Sequence, residues 1–134
     1  MFVNGVRKAA VALVGTALAG GIALMGAGTA SASTGGGCGG PAWEQTCLSE
    51  GNGQVTATVN SNLGSSSCNE EVIIWDYTTG ARALDTTIPC HSGSYSFSYS
   101  LDNPTWGHDY KAEARFYWQG GSGYDYQVSP DLHY

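Results

Sequence analysis

The chain carries groups that could hold or move a proton: eleven carboxylates, three histidines and a generous supply of serine hydroxyls. Spacing decides whether they can act together. None of the G-x-S-x-G, H-E-x-x-H, phosphate-loop or dinucleotide patterns occurs, so no strained nucleophile turn, zinc helix or phosphate cradle is encoded. Asp85, His91 and Ser92 could be assembled on paper into a proton relay, but a serine-rich chain permits such sets anywhere and nothing around this one singles it out. Glu70 and Glu71 are adjacent, so on a strand they face opposite sides and cannot flank one glycosidic bond. Asp102, Asp125 and Asp131 have the oxygen chemistry for calcium without the D-x-D-x-D-G spacing that would arrange it. The four cysteines, Cys38, Cys47, Cys68 and Cys90, could ligate zinc, but they form no C-x-x-C pair and His91, His108 and His133 lack ligand spacing. The chain is expected to bind without catalysis of its own, with no metal and no cofactor.

Binding then falls to aromatic rings, and the elements must decide which of them reach water. "SGSYSFSYSL", Ser92 to Leu101, alternates hydroxyl with ring. Tyr95, Phe97, Tyr99 and Leu101 share one face, and because the rest of the chain supplies few large apolar residues, that face is expected inside. "QVTATVN" places Val55, Ala57 and Val59 on one face, and "DYKAEARFYW" places Tyr110, Ala112, Ala114, Phe116 and Trp118 together. Period-two alternation of this kind recurs between turn clusters and no window has a 3.6-residue apolar period, which is the pattern of an all-β domain. Roughly six to eight strands at this spacing make a small antiparallel β-sandwich.

"VIIWDYTTGARALDTTI" reads as a hairpin. A three-residue loop of Thr78, Thr79 and Gly80 puts Gly80 where φ is positive. Paired residue numbers then sum to 158, and so do Cys68 and Cys90, which places those two cysteines across the base of one hairpin within bridging reach. The remaining pair, Cys38 with Cys47, closes "CGGPAWEQTC" into a small loop. In this register Cys68, Val72, Ile74, Leu84, Ile88 and Cys90 form a core face. Ile73, Trp75 and Tyr77 point the other way over Ala81, Ala83 and Asp85, as a flat amphipathic patch suited to stacking on a sugar or anchoring a protein. The opposite choice of face would put Trp75 inside with Ile73. Tyr117 on the outer face, Trp106 in a turn and Trp43 in the Cys38 to Cys47 loop are further exposed rings. That disulfide-closed loop, with Trp43 and Glu44, also resembles the pre-ordered reactive loops of small secreted hydrolase inhibitors.

"LDNPTWGHDYKAEARFYWQGGSGYDYQVSP" has a Leu-x-x-Pro turn before a tyrosine-led strand and a Gly-rich hairpin, with Leu101, Pro104, Tyr110, Ala112, Ala114, Gly120, Gly121, Gly123 and Ser129 at the marked places. It resembles the closing strands of fibronectin type III and related immunoglobulin-like domains. The resemblance implies an immunoglobulin-like sandwich, a corner role for Tyr110 with its hydroxyl bonded back to the preceding turn, and the work of a binding module or spacer.

The amino end has a different character. Arg7 and Lys8 precede an apolar run, Ala9 to Met25, and "ASA" at Ala30 to Ala32 offers a small-x-small cleavage site, so Met1 to Ala32 is expected to be a secretory signal. The run is thinned by Gly15, Thr16, Gly20 and Gly21, which disfavours a membrane anchor, and Gly35 stands where a lipoprotein signal needs leucine. Ser33 to Gly40, with five glycines in eight residues, reads as a flexible lead, and residues 41–134 as one domain. An exported chain with four cysteines implies two disulfides. After the signal, Arg82, Lys111 and Arg115 face all eleven acids, a net charge of −8. That field repels phosphate backbones and anionic headgroups, so neither nucleic acid nor membrane is an expected partner. A monomeric extracellular module for a protein or glycan is the leading expectation, and a hydrolase inhibitor the alternative.

Overall fold

The computed structural model describes residues 33–134, so the secretory signal expected over Met1 to Ala32 lies outside the described residues. Ten strands form: β1 (Thr34–Gly35), β2 (Gly37–Gly39), β3 (Glu44–Gly51), β4 (Gln54–Leu63), β5 (Cys68–Asp76), β6 (Ala81–Pro89), β7 (Gly93–Asp102), β8 (Asp109–Trp118), β9 (Asp125–Val128) and β10 (Leu132–His133). Six are eight to ten residues long and four are two to four residues long, which is why alternation alone reveals roughly six to eight. They build two antiparallel sheets, one in the order β1-β10-β8-β5-β6 with β9 also paired to β8, the other in the order β2-β3-β4-β7. Among the described residues no helix is long and apolar enough to cross a membrane.

The core follows the alternation. Val55, Ala57 and Val59 of β4 and Ala112, Ala114 and Phe116 of β8 are fully buried against Leu48, Val72 and Ile74. Each large aliphatic or aromatic side chain so placed contributes about 1.5–3 kcal/mol. Tyr110 closes one end of this core, and its hydroxyl accepts a hydrogen bond of 2.8 Å from the backbone N–H of Thr105 in the loop before it. The row Tyr95, Phe97, Tyr99 and Leu101 is only half-buried, because β7 is an edge strand and covers the core from one side alone. Tyr95, Tyr99 and Leu101 still pack on the core, whereas Phe97 leans on Tyr95 and His91 with ring centroids 5.5 and 5.7 Å away. Serines on the reverse face join threonines and an asparagine of β4 across the strand pair: Thr56 with Ser100, Thr58 with Ser98, Asn60 with Ser96.

Both disulfides form as the spacing predicts, Cys38 with Cys47 and Cys68 with Cys90. The hairpin that carries the second holds the 158 register over six pairs, from Asn69 with Pro89 to Ile74 with Leu84. Nearer the turn the register changes. Trp75 pairs with Arg82 and Asp76 with Ala81, so the loop has four residues, Tyr77 to Gly80, and Ala83 bulges. Gly80 does take a positive φ of 73°. Asp76 stabilises the four-residue loop by accepting from Thr79 N–H at 3.1 Å, an interaction that the three-residue loop expected from sequence leaves out.

The Gly-rich lead is not a flexible tether. Thr34 and Gly35 pair with β10, and Gly37 to Gly39 pair with β3, so the domain begins at residue 34 and not at 41. Close approach explains the glycines: a Cβ at Gly39 would collide with the Val128 carbonyl oxygen and one at Gly40 with the Glu44 carbonyl oxygen. Missing side chains here let the start of one sheet lie directly on β9 of the other.

Candidate functional site

The expected patch on the hairpin divides in two. Ile73 is fully buried, at 0% exposure, and is corrected as a binding residue. It lies outside the main core cluster, on the outer face of a central strand, between Glu71 and Trp75 along β5 and between Asp85 and Glu113 across it. Those neighbours are tied over it by charged bonds. Arg82 bridges Glu71 and Asp85, Arg115 donates to Glu113 at 2.7 Å, and the Trp75 indole donates to Glu113 at 2.6 Å. Trp75 is half-buried in this lattice, with the Arg82 and Arg115 guanidinium carbons 5.1 and 6.0 Å from its ring centroid. Tyr77 is exposed beside Lys111 and edges a shallow depression of about 300 Å³ with Trp75 and Gly80.

A larger cleft of about 420 Å³ opens at the other end of the sandwich, lined by Trp43, Glu44, Tyr124, Asp125, Tyr126 and Gln127. Trp43 comes from the turn that joins β2 to β3, where Glu44 N–H donates to the Pro41 carbonyl at 2.9 Å and Asn62 N–H to the Trp43 carbonyl at 2.8 Å. Tyr124 to Gln127 come from β9 and the Gly-rich loop before it. The two walls meet because Gly39 and Gly40 let the turn approach β9, so the glycines of the lead shape the cleft. Trp43 is 53% exposed and Tyr126 57% exposed, unusually open for rings of this size. Tyr124 stands 6.2 Å from Tyr126 and 5.2 Å from Tyr117, while the Arg115 guanidinium lies 4.8 Å over Tyr124. A strip of aromatic surface therefore runs from Trp75 past Arg115 and Tyr117 to the rim of the cleft.

The cleft floor is acidic. Glu44 begins β3 in phase with Thr46 and Leu48, all three pointing inward, and it is 4% exposed. Glu70 of β5 faces it from the opposite sheet at 0% exposure and accepts from the Tyr95 hydroxyl at 3.0 Å. Four buried side-chain oxygens, Glu44 Oε1, Thr46 Oγ1, Ser61 Oγ and Glu70 Oε1, have no hydrogen-bond partner among the described residues. Native proteins rarely leave such atoms unpaired, and here they gather at one end of the interior. Burial, with the charges of Asp125 and Glu70 added, pushes the Glu44 carboxyl up to about 7. Burial also raises Glu70, against the lowering effect of the Tyr95 bond. Burial and the neighbouring Glu70 push the Tyr95 hydroxyl up to about 12. At neutral pH this end of the sandwich thus sits at the edge of holding or releasing a proton on Glu44.

Of the residues singled out from sequence, Trp43 belongs to the cleft, Tyr117 to the strip that leads to it, and Trp75 and Tyr77 to the smaller depression. Sequence reasoning missed Tyr124 and Tyr126 as contact residues, and it noted Glu44 only beside Trp43 in the disulfide-closed loop and Asp125 only for its calcium-type oxygen chemistry. The parity of "EQTCL", which puts Glu44 in step with Leu48, and of "CNEEVI", which puts Glu70 in step with Cys68 and Val72, is the signal that finds the acids. His91, Ser92 and Asp85 are not brought together: Asp85 is bound to Arg82 and His91 packs on Tyr95 and Phe97. The three aspartates weighed for calcium are separately engaged, Asp102 by Gln54, Asp125 by the Trp118 indole and Asp131 by Lys111. Compared with family models, with characterised proteins and with solved structures, the chain matches none.

Proposed function

We propose that this chain is a secreted, non-catalytic module that binds an extracellular glycan in the cleft between Trp43 and Tyr124 to Tyr126. The observation that carries the reading is the cleft itself, where the exposed rings of Trp43, Tyr124 and Tyr126, contributed from the two sheets, surround the exposed carboxylate of Asp125. Sugar rings offer apolar C–H faces that stack on aromatic side chains, and hydroxyls that donate to carboxylates, so the two halves of the cleft answer the two halves of a sugar. Two disulfides hold the frame and point to an oxidising compartment. The Cys38 to Cys47 bridge closes the base of the turn that carries Trp43, so the backbone of the turn is ordered before a ligand arrives. The same loop is the basis of the inhibitor alternative. Its tip folds back on itself through the Glu44 to Pro41 bond and offers no extended segment for a protease cleft, which favours the glycan.

Titration of the mature chain with oligosaccharides, followed by indole fluorescence and calorimetry, tests the reading. Binding is expected to be saturable and to be lost in Trp43→Ala and Tyr126→Ala, both of which should keep the wild-type circular dichroism. Equal binding by wild type and both variants would refute it.

A further inference from the structure

Most edges of the two sheets are guarded. β1, β2 and β9 are only two to four residues long, and β6, nine residues long, carries Arg82, Asp85, Pro89 and a bulge at Ala83, devices that keep a free edge from pairing. β7 has none of them. It pairs with β4 without a break from Gly93 to Asp102, and among the described residues no strand lies along its other side. From Ser92 to Leu101 it holds no charged residue and no proline. Alternate backbone N–H and C=O groups of a ten-residue strand are therefore open to another strand. The rings beside them are open too: Tyr95, Phe97 and Tyr99 are half-buried, and Phe97 lies outside the core cluster.

The order of side chains on this edge names the occupant. Ser94 to Ser100 reads Ser-Tyr-Ser-Phe-Ser-Tyr-Ser, the same in both directions about Phe97. Laid antiparallel on a second copy with Phe97 opposite Phe97, it sets Tyr95 opposite Tyr99, Ser96 opposite Ser98 and Ser94 opposite Ser100, the self-complementarity that a two-fold interface requires. The rings of each copy then cover those of the other, and the serines continue the hydroxyl pairs that already join Thr56 to Ser100 and Thr58 to Ser98. Charge favours the same register. Residues 33–134 carry three cationic side chains against eleven acids, a net charge of 3 − 11 = −8, so two copies repel over most of their surface and can meet at an uncharged strand. Asp102 falls opposite Ser92 of the second copy, which keeps the two Asp102 carboxylates at opposite ends of the pair. A ten-residue strand is about 33 Å long, and a flank about 20 Å deep, two sheets about 10 Å apart with their side chains, gives about 1,300 Å² in total, the lower end of what a specific complex needs. We propose that β7 pairs antiparallel with β7 of a second copy of this chain about a two-fold axis at Phe97, joining two four-stranded sheets into one of eight, in place of the monomer expected from sequence. The pairing does not rest on the glycan reading. β4 and β3 separate this edge from the β2–β3 turn, so each dimer would present two open clefts.

Sedimentation equilibrium of the mature chain from about 1 to 500 µM tests the proposal, because an interface of this size is expected to dissociate at micromolar concentrations. The mass should rise twofold across that range and stop at the dimer. Ser96→Lys combined with Ser98→Lys places like charges opposite one another at exposed positions and should hold the chain as a monomer with wild-type circular dichroism. Ser96→Glu combined with Ser98→Glu should do the same, and an equimolar mixture of the two double variants should regain the dimer. Ser49→Lys combined with Ser122→Lys adds the same charge at exposed positions outside β7 and should leave the dimer intact. A monomer at every concentration, growth beyond the dimer, or a dimer that survives both substituted edges overturns the proposal. So does a mixture that stays monomeric, or loss of the dimer in the Ser49 and Ser122 variant. None of these results bears on whether the cleft binds sugar.

Discussion

Glu44→Gln should make the domain more stable, and only above about pH 4.5, where Glu44 of the unfolded chain begins to ionise. In the fold this carboxyl keeps its proton up to about pH 7, mainly because burial penalises the anion, whereas its ordinary value is 4.5. Between those two values the native state binds a proton that the unfolded chain releases, so stability from this group is full below about pH 4.5 and is lost as pH rises through about 7. Each pH unit of separation is worth about 1.4 kcal/mol, which sets a ceiling of roughly 3 kcal/mol; the cleft admits water, and screening there reduces the expected effect to about 1–2 kcal/mol. Glutamine copies the shape and hydrogen-bonding of the neutral acid and cannot ionise. Urea unfolding of wild type and variant at several pH values from 4.5 to 8.5 reads the difference. The curves should meet near pH 4.5 to 5 and separate above it, with the variant ahead by about 1–2 kcal/mol at pH 8, or some 5–10 °C in Tm for a domain of this size. Repulsion from Glu70 is one of the causes of the Glu44 shift, so the difference between the two proteins includes relief of that repulsion. Parallel curves across the range, or a variant less stable at pH 8, would refute the buried-acid account.

Ile73→Ala should cost about 3 kcal/mol in denaturant unfolding, as a fully buried aliphatic does, with glycan affinity unchanged; a surface-like cost under 1 kcal/mol would place the side chain in water. Gly39→Ala should lose about 2 kcal/mol or more, because the new methyl meets the Val128 carbonyl oxygen, and should weaken ligand binding as the turn withdraws from β9. Replacing Cys68 and Cys90 together by alanine opens a loop of 22 residues and should lower stability by about 3 kcal/mol, measured by thermal and urea unfolding with the other bridge intact.

Local pattern was enough for the all-β class, the inward rows of β4 and β8 and both disulfides, but not for the order of the strands. Val55, Ala57 and Val59, or Ala112, Ala114 and Phe116, declare their face through neighbours two residues away, and the Cys68 to Cys90 bridge follows from counting out from Gly80. The bulge at Ala83 escaped because a four-residue loop and one extra residue restore the same register farther down the hairpin. Ile73 escaped because its burial is made by ion pairs on an outer face, among Arg82, Arg115, Glu71, Asp85 and Glu113, which no alternation rule counts as cover. The cleft was least legible of all. It depends on Gly39 and Gly40 touching β9, nearly ninety residues later in the chain, and in sequence those glycines look like a linker.

Residue-resolved NMR of the mature chain during titration with oligosaccharides tests the central claim most directly. Saturable shifts should appear at the Trp43 indole N–H and at the amides of Tyr124, Asp125 and Tyr126, with Tyr77 and Gly80 unmoved. Shifts centred on the Trp75 to Gly80 turn, or no shift at the Trp43 indole at saturating sugar, would contradict the placement of the site.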